Sequence, residues 1–127
     1  MRVLIAAAFW VAFLIPAEAY TVKYDRGGKI NTYLHRADLL NHVRIDGHCY
    51  SSCTLYLRSK NVCATHRAVL GFHAARLNGK RFRGFEKIFI QLYPRRIQGF
   101  LKRKKALSKQ RFTYLKPPNL YRYVKRC

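Results

Sequence analysis

Acidic side chains are nearly missing from this sequence. Its 127 residues hold five Asp plus Glu against 26 Lys plus Arg, a formal net charge of +21. Beyond Ala19 the carboxylates are Asp25, Asp38, Asp46 and Glu86. So small a stock argues against acidic metal clusters and against the paired-carboxylate chemistry of glycosidases. Long apolar runs are also lacking. The longest, Val3–Ile15, has 13 residues, short of the roughly 20 that span a bilayer. No internal repeat or low-complexity tract is present, and the length leaves room for one small domain, which excludes a multidomain enzyme. Half of the residues are hydrophobic and 14% aromatic, so charge-driven disorder is excluded as well.

The N-terminal segment has the three parts of a secretory signal. Met1-Arg2 is positive, the short apolar run follows, and Pro16 breaks it before the small-residue site Ala17-Glu18-Ala19. Cleavage is expected after Ala19, with an uncleaved anchor as the alternative. Residues 20–127 then form the mature domain, periplasmic or secreted. In an oxidising compartment the even set Cys49, Cys53, Cys63 and Cys127 reads as two disulfides, with three connectivities open. Zinc is the rival, because His48, His66 and His73 lie near three of the cysteines. The spacing C-x3-C-x9-C-x2-H is not a common zinc pattern, so neither a metal nor a cofactor is expected.

Along the chain, Tyr20–Tyr24 alternates as a strand does. Asp25-Arg26-Gly27-Gly28 is a turn signal. Ile30, Leu34, Ala37, Leu39 and Leu40 recur at helical spacing, predicting a helix over Asn31–His42. Val43–Asp46 reads as a short strand, Gly47–Ser52 as a turn, and Ser52–Leu57 as a short buried helix opened by serines. Asn61–Thr65 and Ala68–Phe72 are strand-like. This order favours a mixed α/β layer with parallel pairing. After Ala75 the texture changes. Arg76–Arg83 reads as a loop, Phe85–Tyr93 is apolar, Arg95–Gln110 is an amphipathic basic helix, and Leu120–Cys127 reads as an edge strand. The domain thus divides into a core over 20–75 and a basic C-terminal extension over 76–127.

One stretch carries chemistry. Gly47-His48-Cys49-Tyr50-Ser51-Ser52-Cys53 brings two serines to a helix start, and Gly71-Phe72-His73 follows about twenty residues later at a strand end. A serine beside unpaired helix N–H groups can build a developing oxyanion next to its donors, and a histidine can take the serine proton. Helix-capping serines and a structural histidine would give the same residue types. The order of strand, Gly-Gly, helix, strand, G-x-C-x-S-x-C, helix, strand, strand and F-H resembles the core of the Clp protease proteolytic subunit. Within that group it is similar to the periplasmic Clp-like proteins of the crotonase-like superfamily. The resemblance covers about Val22–Ala75. It implies a reduced Clp/crotonase-like α/β fold and a serine hydrolase, acting on peptides or other small acyl substrates. Ser51 would be the nucleophile and His73 its base, with backbone N–H groups of Gly27 or Gly28 and of Ser52 forming the oxyanion hole. It also implies an oligomer.

The family's third residue is an acid well after the histidine. Here Glu86 is the sole acid beyond His73 and comes early, so a Ser–His dyad with slow turnover is expected, with Glu86 too distant to orient the ring. A degenerate, non-catalytic member is the other reading of the same fold. With the helix after the nucleophile packed near the following strand, the expected bridges are Cys53–Cys63 and Cys49–Cys127. The charge has its own reading. Arg95, Arg96, Lys102, Arg103, Lys104 and Lys105, interleaved with aromatics, suit an anionic envelope surface such as lipid, lipopolysaccharide or another acidic polymer. The export signal disfavours nucleic acid, and a simple solvated face is the plain alternative.

Overall fold

The computed structural model describes residues 18–127. Residues 1–17, which hold most of the export signal read above, lie outside the described part. A curled mixed sheet and a few helices make up the rest. β1 (Tyr20–Asp25), β2 (His42–Tyr50), β3 (Asn61–Ala64) and β4 (Val69–Phe72) are joined by parallel pairings, all of them made to β2. One strand therefore serves three neighbours. β1 runs along most of β2, β3 takes its first half, Cα partners His42–Ile45, and β4 its last three residues, His48–Tyr50. Such sharing forces the sheet to curl, and it gathers the C-terminal ends of β1, β2 and β4 in one place.

β2 alternates inward residues Val43, Ile45, Gly47 and Cys49 with exposed or partly exposed ones. Gly47 lies inside the strand, which corrects the turn expected from it. Between the pairs Val22↔Ile45 and Tyr24↔His48 the register slips, and Gly47 sits in that bulge. A Cβ there would lie 1.9 Å from the Lys23 carbonyl oxygen, so the glycine serves close approach of two backbones.

The helix α1 (Ile30–Leu39) ends earlier than its apolar periodicity predicts. Leu40 is already extended, its N–H returning to the Arg36 carbonyl, and His42 opens β2. Tyr33 and Ala37 bury one face of α1 against a 3-10 helix over Ser51–Arg58. The Ser59 hydroxyl bonds the Ala37 carbonyl at 2.9 Å, and the Tyr33 and Tyr56 rings meet edge-on. Every residue from Ser52 to Leu57 is buried, as the sequence leads one to expect.

The C-terminal half builds onto the same core. The expected loop over Arg76–Arg83 contains a hairpin, β5 (Arg76–Leu77) with β6 (Lys80–Arg81). Its turn residues Asn78 and Gly79 both have left-handed backbone, φ 50° and 77°, the conformation that Asn-Gly pairs favour. A short α2 (Glu86–Ile90) precedes α3 (Arg95–Arg103). α3 buries Ile97, Phe100 and Leu101 but stops well before Gln110. Lys105 turns left-handed at φ 49°, and the N–H groups of Ala106 and Lys105 bond the carbonyls of Leu101 and Lys102. That is a Schellman stop with lysine where glycine is usual. β7 (Thr113–Leu115) pairs antiparallel with β4. β8, only Lys125–Arg126 of the longer strand expected, pairs parallel with β3. Val124, Leu120, Leu115 and Leu101 join Val22, Ile45 and Phe72 in one buried cluster.

All four cysteines are bonded, but as Cys49–Cys53 and Cys63–Cys127. The expected pairing is thereby corrected. Cys49 is the last residue but one of β2 and Cys53 lies one turn into the 3-10 helix, with Cα atoms 5.2 Å apart. β8 lies alongside β3 and the Cys127 N–H bonds the Ala64 carbonyl, which brings Cys127 within 4.9 Å of Cys63, Cα to Cα. Two disulfides fit an oxidising, extracellular environment. Among the described residues no helix is long and apolar enough to cross a membrane.

Candidate active site

Ser51 stands where β2 gives way to the 3-10 helix. Tyr50 is extended and Ser51 has φ +58°. Left-handed backbone in a residue other than glycine costs roughly 1–2 kcal/mol. Here it turns the chain sharply enough to set the Ser51 side chain outside the strand and outside the helix. His73 follows the last residue of β4, and β4 lies beside the end of β2. The parallel pairing thus delivers His73 to Ser51. Their side chains meet at 2.7 Å between His73 Nε2 and Ser51 Oγ. The Phe112 ring packs edge-on against His73 at 4.8 Å between centroids, and the Ala74 N–H is held by the Lys109 carbonyl at 2.7 Å.

Burial, and after it the positive charge of Arg76, hold the His73 pKa below the ordinary histidine value. The ring is therefore neutral at pH 7, the form that accepts a proton from serine. Among the described residues no carboxylate hydrogen-bonds His73. Glu86 lies 3.9 Å from Arg81 instead.

The Gly-Gly turn packs directly on this corner. Gly27 has φ +84°, and a Cβ there would lie 2.8 Å from Ser51 Cβ, the Ser52 nitrogen and the Tyr50 oxygen. Only glycine permits both that backbone and that approach. The Gly27 N–H donates to the Asp25 carboxylate at 2.8 Å, and the Tyr33 hydroxyl donates to the same oxygen at 2.7 Å. Gly27 is thereby corrected as an oxyanion donor, because its N–H already has a strong acceptor. Gly28 and Ser52 remain. The Ser52 hydroxyl donates to the Gly28 carbonyl at 2.6 Å, which pins the turn to the helix start. Its side chain is thus engaged away from His73.

Two further residues bear on the corner. The Thr54 hydroxyl donates its one proton to the Ser51 carbonyl at 2.6 Å. At its 2.7 Å contact with the Tyr93 hydroxyl, Thr54 must then accept and Tyr93 donate. Tyr93 is buried, and burial pushes its pKa up to about 12, so the proton stays in place. The chain from Tyr93 through Thr54 fixes the Ser51–Ser52 peptide. Because the carbonyl and N–H of a trans peptide point in opposite directions, the Ser52 N–H faces back out of the helix start, where no intrahelical partner exists. Thr54 three residues after Ser51 was a legible local signal for this contact; Tyr93 was not, since it comes from 39 positions away.

Ser51, Ser52, Gly28 and His73 line a cleft of ≈ 370 Å³. Its remaining wall is apolar, with Ile30, Leu55, Phe89 and Leu92, and Arg26 and Arg76 also face into it. Of the basic residues singled out from the sequence, Arg95, Lys102, Arg103, Lys104 and Lys105 are exposed. Arg96 is exposed as well, but its charged group is tied down. Its guanidinium donates to the Tyr123 carbonyl at 2.7 Å and the Leu57 carbonyl at 3.1 Å, and burial lowers its pKa. It ties α3 to the fold rather than offering a free charge. The zinc alternative finds no thiolate, as every cysteine is in a disulfide.

No family model matches the chain, and no curated protein or solved structure matches it.

Proposed function

We propose that this protein is an exported, reduced Clp-like serine hydrolase that transfers acyl groups, peptides included, through Ser51 and His73. The observation that carries the reading is the 2.7 Å contact of Ser51 Oγ with His73 Nε2, made by a serine held in left-handed backbone at the wall of a cleft. Structural serines gain nothing from such strain, whereas strained backbone at a reacting side chain is a recurrent feature of active sites.

In the proposed reaction Ser51 Oγ attacks the substrate carbonyl carbon while its proton passes to His73 Nε2. The carbonyl oxygen becomes an oxyanion beside the N–H groups of Ser52 and Gly28. The bond to the leaving amine or alcohol breaks as His73 returns the proton to it, leaving an acyl ester on Ser51. Water then attacks that ester, giving its proton to His73. The ester bond breaks and His73 reprotonates Ser51. With no carboxylate on His73, the ring depends on Phe112 and the backbone for its orientation, which fits slow turnover.

A serine-reactive fluorophosphonate probe tests the reading. Labelling should occur on the oxidised protein, map to Ser51, and vanish in Ser51→Ala and His73→Ala. An unlabelled wild type, or an adduct that survives in Ser51→Ala, overturns it. A second reading is the same fold without catalysis, binding an anionic envelope surface. It rests on the exposed run Lys102–Lys105 at the end of α3, and salt-sensitive binding to anionic vesicles by an unlabelled protein would put it first.

A further inference from the structure

The cleft is one-sided in charge. Arg26 and Arg76 line it, and no aspartate or glutamate does. The carboxylates beyond Ala19 are all engaged elsewhere. Asp25 accepts from Gly27 and Tyr33, Asp38 lies 3.5 Å from Arg58, Asp46 is 2.7 Å from Arg67, and Glu86 pairs with Arg81. Among the described residues neither cleft arginine has an ion pair. Arg76 is also held in place: its Nε donates to Gln110 Oε1 at 2.8 Å. That leaves the two terminal nitrogens of a positioned guanidinium, the fork that matches a carboxylate. Arg76 lies three residues after His73, so the fork sits beside the reacting corner. The rest of the wall, including Leu55, Phe89 and Leu92, is apolar. A cleft of this volume lies at the small end of ligand sites, roughly 300–1,000 Å³, which suits one side chain or short acyl group and not an extended chain.

We infer that the substrate is a carboxylate-bearing acyl compound. An apolar group fills the wall formed by Leu55, Phe89 and Leu92, while a carboxylate next to the scissile carbonyl is received by Arg76, with Arg26 as the second cation lining the cleft. The substrate supplies the negative charge that the protein itself withholds from this site. Two sources present that chemistry: the terminal carboxylate of a peptide, and the side chain of an acidic residue. The inference rests on the hydrolase reading, and the experiment below separates the two.

Short fluorogenic peptides sharing one apolar residue would be compared in two matched pairs. One pair has a free C-terminus or its amide, the other an Asp or an Asn next to the scissile bond. At low salt at least one acid should be turned over about tenfold faster in kcat/KM than its neutral partner, as expected for a charge-assisted bidentate contact. The preference should shrink at 0.5 M salt, an order-of-magnitude choice well beyond physiological screening. Arg76→Gln should lower kcat/KM for the acid by several-fold more than for its neutral partner. The pair that shows the preference identifies the source. Fluorophosphonate labelling of Ser51 without any preference for acid would overturn the inference and leave the hydrolase reading standing. If labelling fails, binding decides: calorimetric titration of Ser51→Ala with the acid and amide peptides should show tighter binding of the acid, lost with Arg76→Gln, and equal affinities would overturn the carboxylate site itself.

Discussion

Ser51 is left-handed at φ +58°, and that conformation has a measurable consequence independent of any substrate. Consider Ser51→Ala and Ser51→Gly. Both remove the hydroxyl and its contact with His73, so the lost hydrogen bond cancels between them. The alanine variant keeps a Cβ and therefore keeps the left-handed penalty of roughly 1–2 kcal/mol. The glycine variant escapes it but gives the unfolded chain more freedom, which costs about 0.4–1 kcal/mol. The difference favours glycine by about 1 kcal/mol. At an ordinary helix position the sign reverses, since glycine is there worse than alanine by roughly 0.5–1 kcal/mol. Urea denaturation of the oxidised proteins, followed by far-UV circular dichroism, reads the difference. Ser51→Gly should unfold at higher urea, with a melting temperature higher by roughly 4 °C for a domain of this size. Both variants should be unreactive toward the fluorophosphonate. An alanine variant as stable as the glycine one, or more so, would refute the reasoning: Ser51 would then not carry backbone strain, and the main physical argument for a reacting serine would be gone.

Two other outcomes follow from the same geometry. His73 is held below the ordinary histidine value of about 6.5 by burial and then by Arg76, so the labelling rate should rise with pH and reach half-maximum below that value. Arg76→Gln removes one of the two causes and should move the midpoint upward; a wild-type midpoint above the ordinary value refutes this. The two disulfides should differ in worth, because Cys63–Cys127 spans 64 positions and Cys49–Cys53 spans 4. Loop-closure entropy assigns them about 4.3 and about 1.9 kcal/mol. Cys63→Ser/Cys127→Ser should therefore lower the urea midpoint more than Cys49→Ser/Cys53→Ser, and equal losses would count against this pairing.

Local pattern alone located much of this protein. Alternation in Tyr20–Tyr24, the buried run Ser52–Leu57 and the apolar stripe Ile97, Phe100, Leu101 each show their structure within a few residues, because strand and helix periodicities are properties of neighbours along the chain. The same applies to Gly27-Gly28, Ser51 and His73, whose types and order already suggested one corner of chemistry. What the sequence could not decide depended on distant partners. Gly47 looks like a turn until Lys23 is found 1.9 Å from where its Cβ would be. Lys105 ends α3 in a backbone conformation that a lysine does not advertise. The cysteine pairing was set by β8 lying along β3, a contact between strands about sixty positions apart, for which four cysteines offer no local clue. Gly27 looked like an oxyanion donor until the Asp25 carboxylate was found to hold its N–H. The meeting of Ser51 with His73, the Tyr93–Thr54 support behind it and the two arginines facing the cleft all come from the pairing of β4 with the end of β2 and the packing of the C-terminal half against them. Residue types were chosen locally; distances between them were fixed only when the sheet closed.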